Sequence, residues 1–313
     1  MAITAQFTAE TSPSGAFVRQ PNAFCDRITA DGSSGFRAEP GRYHLYVSLA
    51  CPWAQRSIIV RKLKQLEDVV GMSVVDPIRD ERGWRFGPSP DGTYGPDPVN
   101  GFTYLSEAYL ATDPEYRGRF TVPCVWDRQT HRLVSNDYPS ISTELATEFD
   151  AFADRSIDLY PVALRDEIDG VNAVVYEHVN NGVYKAGFAT SQSAYEDAFD
   201  ALFETLDQLD ARLGRQRYLV GNQLTEADIR LFTTLVRFDA VYYVHFKCNL
   251  RRLVDYPNLW PYARALYQTP GFAETVNFDH IKRHYYMTHN HINPTGIVPK
   301  GPAVDWLAPH NRA

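Results

Sequence analysis

Between Tyr43 and Glu67 the spacing of apolar side chains changes character. Tyr43 to Leu49 is a run of bulky, aromatic and β-branched residues without a breaker, and it predicts a buried strand. From Pro52 the period is near 3.6, with Ile58, Ile59, Leu63 and Leu66 on one face and Arg56, Arg61, Lys62 and Lys64 largely on the other. That spacing predicts a helix over 53–67, and Pro52 suits its first turn, where a missing N–H is no loss. Gly71 to Val75 predicts a second strand, ended by Asp76-Pro77. The result is β-α-β, with a parallel pair and a right-handed crossover. Thr121 to Trp126 starts a further strand and Arg132 to Ser135 a short partner, with 127–130 as the hairpin turn. Asn136-Asp137 caps a helix to about Phe149. Beyond about residue 155 the pattern is helical only, over 161–180, 195–213, 225–245 and 258–268. Thr225 and Asp228 form an N-cap signal there, and Asp228 reads as structural.

The order β-α-β, insertion, β-β-α is that of a thioredoxin-like domain. The expected division is therefore an N-terminal extension, 1–42, anchored by Phe7, Phe17 and Phe24; a thioredoxin-like thiol-binding domain, 43–150; an all-α domain, 155–290; and a tail, 291–313. An insertion at 78–120 is dense in Gly, Pro and Asp. Its aromatic residues, Trp84, Phe86, Tyr94, Phe102, Tyr104 and Tyr109, argue for an ordered wall of a site over disorder. Val122-Pro123, at a strand start, is a candidate cis bond, with an ordinary trans edge proline as the other reading.

Composition narrows the partners. A formal net charge of −7 argues against nucleic acid, which needs a basic surface. No window reaches 18 apolar residues, so no membrane span is expected. The four cysteines, Cys25, Cys51, Cys124 and Cys248, form no close pair. With no signal peptide in residues 1–30, this pattern is that of a reduced, cytoplasmic protein.

Cys51 is where the chemistry concentrates. It sits where a buried strand ends and a helix begins, beside the unpaired N–H groups and the positive end of the helix dipole. A thiolate there is stabilised, so its pKa is expected below the free value of about 8.5. The motif is Cys51-Pro52-Trp53-Ala54 and not Cys-x-x-Cys, so no resolving thiol lies one turn on. This points to a monothiol cycle that borrows its second thiol from solution. His280, His284, His289 and His291 are a weak metal motif without a catalytic acid, and no metal is expected.

This architecture resembles that of the glutathione transferases, and several motifs resemble the glutathionyl-hydroquinone reductases, the xi class. They are Leu49 to Ala54; Gly83-Trp84-Arg85-Phe86; Tyr104 to Tyr109; Asp113 to Arg119; Thr121-Val122-Pro123; Asn181 to Ala189; Ile281 to Tyr286; and Ile292 to Ile297. The match runs from about 36 to 302. The resemblance implies a thioredoxin-like domain followed by an all-helical glutathione-transferase domain, and a homodimer. It implies thiol-dependent reduction of glutathionyl- or mycothiol-type hydroquinone conjugates through a Cys51 mixed disulfide. Tyr184 and Tyr285 (or Tyr286) match the family's aromatic-site tyrosines, suited to bind or polarise the ring hydroxyls. Trp84 would flank thiol and ring, Arg119 would pair with a carboxylate of the thiol cofactor, and Val122 would offer its backbone to the cofactor's cysteine amide.

One departure stands out. The family pattern after the last strand is Asn-Glu-Ser, whose Glu and Ser hold the γ-glutamyl head of glutathione. Here it is Asn136-Asp137-Tyr138: the acid is one methylene shorter, and a large ring replaces a small donor. The cofactor-binding set is therefore Trp84, Arg119, Val122, Asp137 and Tyr138, and the thiol is glutathione, mycothiol or γ-glutamylcysteine. Two alternatives are an omega-like thioltransferase or dehydroascorbate reductase using the same cycle on other substrates, and a non-enzymatic binding protein of the same fold. The intact Cys51-Pro52 argues against the last.

Overall fold

The computed structural model describes residues 10–312. Phe7 lies outside the described residues. The chain divides into two compact units. One comprises Pro21–Asp158 and Thr275–His284, and the other holds the described residues up to Gln20, Leu159–Glu274 and those from Tyr285 onward.

The first unit begins with two short parallel strands, β1 (Ile28–Thr29) and β2 (Phe36–Arg37). Then come β3 (Tyr43–Val47), α1 (Pro52–Leu63), β4 (Gly71–Val74), α2 (Leu105–Thr112), β5 (Cys124–Asp127), β6 (Arg132–Ser135) and α3 (Tyr138–Thr147). The four-stranded sheet has the order β4-β3-β5-β6. β3 pairs parallel with β4 and antiparallel with β5, and every residue of β3 is buried. This is the expected β-α-β then β-β-α order. The hairpin is locked from inside. Asp127 is fully buried, and the Arg42 guanidinium donates to both its carboxylate oxygens at 2.9 and 2.8 Å. Thr130 Oγ1 and the Gln129 N–H add donors at 2.7 and 3.0 Å.

Three expectations need correction here. The basic face of α1 does not all point to solvent: Arg56 and Lys64 are buried. The Arg56 guanidinium lies over the Trp53 ring at 4.7 Å, while Lys64 Nζ donates to the Ile157 carbonyl and pairs with Asp150, both at 2.9 Å. Ring faces and carbonyls thus take up charge that periodicity assigns to water. The insertion carries a helix, α2, hidden from the sequence among its glycines and prolines. Residues 275–284 group with the sheet and not with the all-α region. Gln55 Nε2 donates to Thr275 Oγ1 at 3.0 Å, and the His284 ring bonds the Pro77 carbonyl through Nδ1 at 2.8 Å.

The second unit is helical. It comprises α4 (Arg165–Val174), α5 (Gly182–Phe188), α6 (Gln192–Leu213), α7 (Glu226–Arg237) and α8 (Leu259–Tyr267), and the chain leaves the first unit within α9 (Phe278–Thr288). The apolar spacing predicts neither α5 nor α9. Asp228 is structural: it accepts from the Thr225 and Leu219 N–H groups at 2.8 and 2.9 Å and from the Tyr262 hydroxyl at 2.7 Å. Residues 10–20 belong here too, with Phe17 against Phe188 at 5.3 Å. The tail is tied down by Arg312, which donates to the Leu213, Gln216 and Arg217 carbonyls. No described helix is long and apolar enough to cross a membrane.

Candidate active site

Cys51 is the N-cap of α1, with Pro52 at the first helical position. It is 9% exposed. Its carbonyl accepts the first helical bond from Gln55 at 3.0 Å, and its Sγ stands 3.4 Å from the Val122 carbonyl oxygen. The Val122-Pro123 bond is cis. Two residues singled out from separate stretches of sequence, Cys51 and Val122, are thus in contact. Cys124 is fully buried, and burial drives its thiol well above the ordinary range, so it is no nucleophile at neutral pH.

Trp84, in the same unit, is buried, stacked on the His284 ring at 4.8 Å with the Arg79 guanidinium over it at 5.3 Å. Its indole Nε1 is buried and has no acceptor among the described residues. Arg119 is half-buried, and its carbonyl accepts from the Tyr116 hydroxyl at 2.8 Å. Asp137 is the N-cap of α3 and is partly exposed. Tyr138 does not present its ring to solvent. It is 8% exposed and lies against Trp53 with ring centroids 4.5 Å apart. The large ring at this position is spent on packing α3 against α1.

Two residues near Asp137 carry no sequence signal. Asn22 Nδ2 donates to Asp137 Oδ1 at 2.7 Å, and Arg27 Nη1 stands 3.9 Å from Oδ2. Arg27 also reaches Glu144 Oε1, at 2.6 Å from its Nε. Burial raises the Glu144 carboxyl to about 7 despite Arg27. Both donors come from the extension, which shows no period.

In the helical unit the Tyr184 and Tyr285 hydroxyls are 2.5 Å apart, and Tyr242 adds a third hydroxyl 3.0 Å from that of Tyr285. Burial raises Tyr242 and Tyr285 well above the usual phenol range, so both stay protonated donors at neutral pH. Tyr286 is separate: its hydroxyl donates to the Ala240 carbonyl at 3.2 Å. Tyr242 is new, and the aromatic i, i+4 spacing of Phe238, Tyr242 and Phe246 is the signal that could have found it. Arg19 lies over the Tyr184 ring at 4.9 Å and donates to Asn181 Oδ1, at the start of α5, at 2.9 Å.

The candidate metal histidines serve other contacts. The His280 ring and Thr93 Oγ1 are bonded at 2.8 Å, His284 is on Pro77 and Trp84, and His289 bonds His245 at 3.1 Å. Among the described residues no group of three or more His, Cys, Asp or Glu could hold a metal ion.

Residues 192–265 match the family model for the C-terminal domain of glutathione S-transferases. The chain is 53% identical to the glutathionyl-hydroquinone reductase YqjG of Escherichia coli, over 96% of this chain and 93% of that protein. The chain belongs to the glutathionyl-hydroquinone reductases, the Xi class of glutathione transferases. Another member of this family, PcpF of Sphingobium chlorophenolicum, is 50% identical over 93% of this chain and 91% of its own length. The Xi transferase from Phanerochaete chrysosporium superposes with a TM-score of 0.91, at 50% identity and 96% coverage of both chains. The solved structure of YqjG, described as glutathione-bound, superposes with a TM-score of 0.90, covering 93% of this chain and 96% of that one. The fold is thus that of a glutathione transferase, a small-sheet domain and a helical domain, as its Xi-class members share it.

Proposed function

We propose that this protein reduces S-conjugated hydroquinones to free hydroquinones, with Cys51 as the nucleophile and a small thiol as the reductant. The observation that carries the reading is the position of Cys51: capping α1, nearly buried, its sulfur against the Val122 carbonyl. In the first step the Cys51 thiolate attacks the thioether sulfur of the conjugate. An S–S bond forms, the aryl C–S bond breaks, and the ring carbon takes the electron pair and a proton. In the second step the thiolate of a free small thiol attacks the mixed disulfide. Cys51 leaves as thiolate and a small-molecule disulfide is released. The thioether sulfur and the free thiol end as that disulfide, and the aryl carbon is reduced by two electrons, so the cycle closes without a metal.

Tyr184 and Tyr285 are proposed as donors to the ring hydroxyls, a role that suits phenols. Trp84, with an indole N–H that lacks an acceptor among the described residues, Arg119, Val122 and Asp137 are proposed to hold the thiol. The buried ring of Tyr138 would serve by packing. The thiol is glutathione, mycothiol or γ-glutamylcysteine, and the glutathione-bound relative supports a site of this class. A cytoplasmic homodimer completes the proposal.

The test is a conjugate-reduction assay on Cys51→Ala, using S-conjugated menadiol and a thiol panel. Loss of turnover to the uncatalysed rate is expected, with the melting temperature little changed. Retained turnover sinks the mechanism.

A further inference from the structure

Residues 10–20 carry no period, yet they run along the turn between α5 and α6. Gly15 has a φ of +85°, and a Cβ there would stand 2.8 Å from that of Ser191, so the close approach requires a glycine. The Gly15 carbonyl accepts from the Thr190 N–H at 2.9 Å, and the Ser14 carbonyl from Ser191 Oγ at 2.8 Å. Phe17 then packs on Phe188, ring centroids 5.3 Å apart. The segment is thereby fastened on both sides of the point where it delivers Arg19 to α5. Arg19 is half-buried and grips the first turn of that helix. Its Nε donates to Oδ1 of Asn181, the N-cap residue, at 2.9 Å, and the Asn181 carbonyl accepts from the Tyr184 N–H at 3.0 Å. The guanidinium carbon of Arg19 stands 4.9 Å from the centre of the Tyr184 ring and 5.2 Å from that of Phe17.

A guanidinium over a phenol face is attracted by the negative face of the ring, more strongly where water is partly excluded. The same charge has a consequence for catalysis. As the aryl C–S bond of a conjugate breaks, electron density enters the hydroquinone ring and its oxygens. A phenol that donates to one of those oxygens takes part of the negative charge onto its own oxygen. A fixed cation over its ring stabilises that charge, and does so most where the charge is largest, in the transition state. Given Tyr184 as a donor to the ring hydroxyls, we propose that Arg19 is a positioning residue for the cleavage step: it holds the Tyr184 ring on its turn of α5 and supplies the positive charge that makes the Tyr184 hydroxyl an effective donor.

The experiment separates the two half-reactions. Single-turnover release of menadiol from its glutathione conjugate, without free thiol, reports cleavage; release of Cys51 from its mixed disulfide by glutathione reports the second step. Arg19→Gln removes the charge but keeps an amide donor for Asn181, and Arg19→Lys keeps the charge. Arg19→Gln should slow cleavage by about tenfold at saturating conjugate, the scale of one partly desolvated cation over a ring, and leave the second step within about twofold. Arg19→Lys should restore cleavage to within about threefold. In a Tyr184→Phe background the Arg19→Gln change should cost less than about twofold, because the oxygen it acts on is gone. Unchanged cleavage in Arg19→Gln, where Tyr184→Phe is slowed, would overturn the proposal. So would an equal loss in both half-reactions, or a loss of the same size in the Tyr184→Phe background, since each would make Arg19 a structural residue only. Arg19→Met is read by the same criteria should Arg19→Gln not fold. Full cleavage in Tyr184→Phe alone would instead remove the underlying reading of Tyr184, and this assignment with it.

Discussion

A cysteine at the start of a helix gains from the free N–H groups there, but Cys51 also faces the carbonyl of Val122 at 3.4 Å, which favours a protonated sulfur. Reactivity at this residue is a balance between the two, struck over one side chain. The tyrosines differ in kind. Tyr285 bonds the Tyr184 and Tyr242 hydroxyls, so its replacement by Phe removes the centre of the group. We expect Tyr285→Phe to lower kcat for conjugate reduction by about 100-fold, the lower end for a lost proton donor, with the KM for thiol unchanged. Tyr286→Phe should change kcat by less than about threefold, because its hydroxyl donates to the Ala240 carbonyl and stands apart from the Tyr184, Tyr242 and Tyr285 group. Steady-state kinetics on both variants check the contrast; equal losses would contradict the assignment of Tyr285.

At the scale of elements, the β5–β6 hairpin supplies Val122 and Asp137 from its two ends, and its turn rests on Arg42 and Asp127. Removing one partner strands the other as a buried charge. Arg42→Ala should cost about 3–5 kcal/mol in urea unfolding, while Arg82→Ala, which breaks an exposed pair with Asp80, should leave the urea midpoint nearly unchanged. Similar losses for both would contradict the burial argument. The same elements show what can be read from the sequence. β3, α1, β4 and the hairpin are legible because their period switches cleanly between strand and helix, and Cys51 stands out at one such switch. α2 is not, being short and surrounded by Gly and Pro. α9 is not, because Phe278–Thr288 mixes His, Tyr and charge without an apolar stripe. Asn22 and Arg27 come from a segment without period, and only the fold brings them to Asp137. The burial of Tyr138 depends on Trp53, a contact between two helices that no local pattern encodes.

For the whole molecule, the buried histidines set an acid limit. His44 is held neutral by its surroundings. The Arg128 guanidinium donates to its Nδ1 at 3.0 Å and its Nε2 bonds Ser73 Oγ at 2.8 Å, while burial first, then Arg128, lowers it to about 4. Burial also lowers His245 to about 4. A group depressed in the folded state keeps its full stabilisation above the unfolded value near 6.5 and loses it as pH falls toward 4. Each histidine therefore withdraws up to about 3 kcal/mol over that range. Glu144, raised to about 7, acts in the opposite sense and loses its stabilisation as pH rises from 4.5 to 7. The two histidines outweigh it, so the melting temperature should fall between pH 6.5 and 4.5, and His44→Gln should flatten part of that slope. A melting temperature that holds or rises over this range would contradict this role for the buried histidines.

The reaction cycle itself has one intermediate that nothing else would form, a disulfide between Cys51 and the thiol half of the conjugate. Intact-mass spectrometry and peptide mapping, after mixing the enzyme with a stoichiometric hydroquinone conjugate and no free thiol, observe it directly. One equivalent of small-thiol adduct formed on Cys51, with one equivalent of free hydroquinone released, and the adduct reversed by added thiol, is the expected result. Free hydroquinone formed with no adduct, or an adduct on Cys25 with Cys51 unmodified, would contradict it.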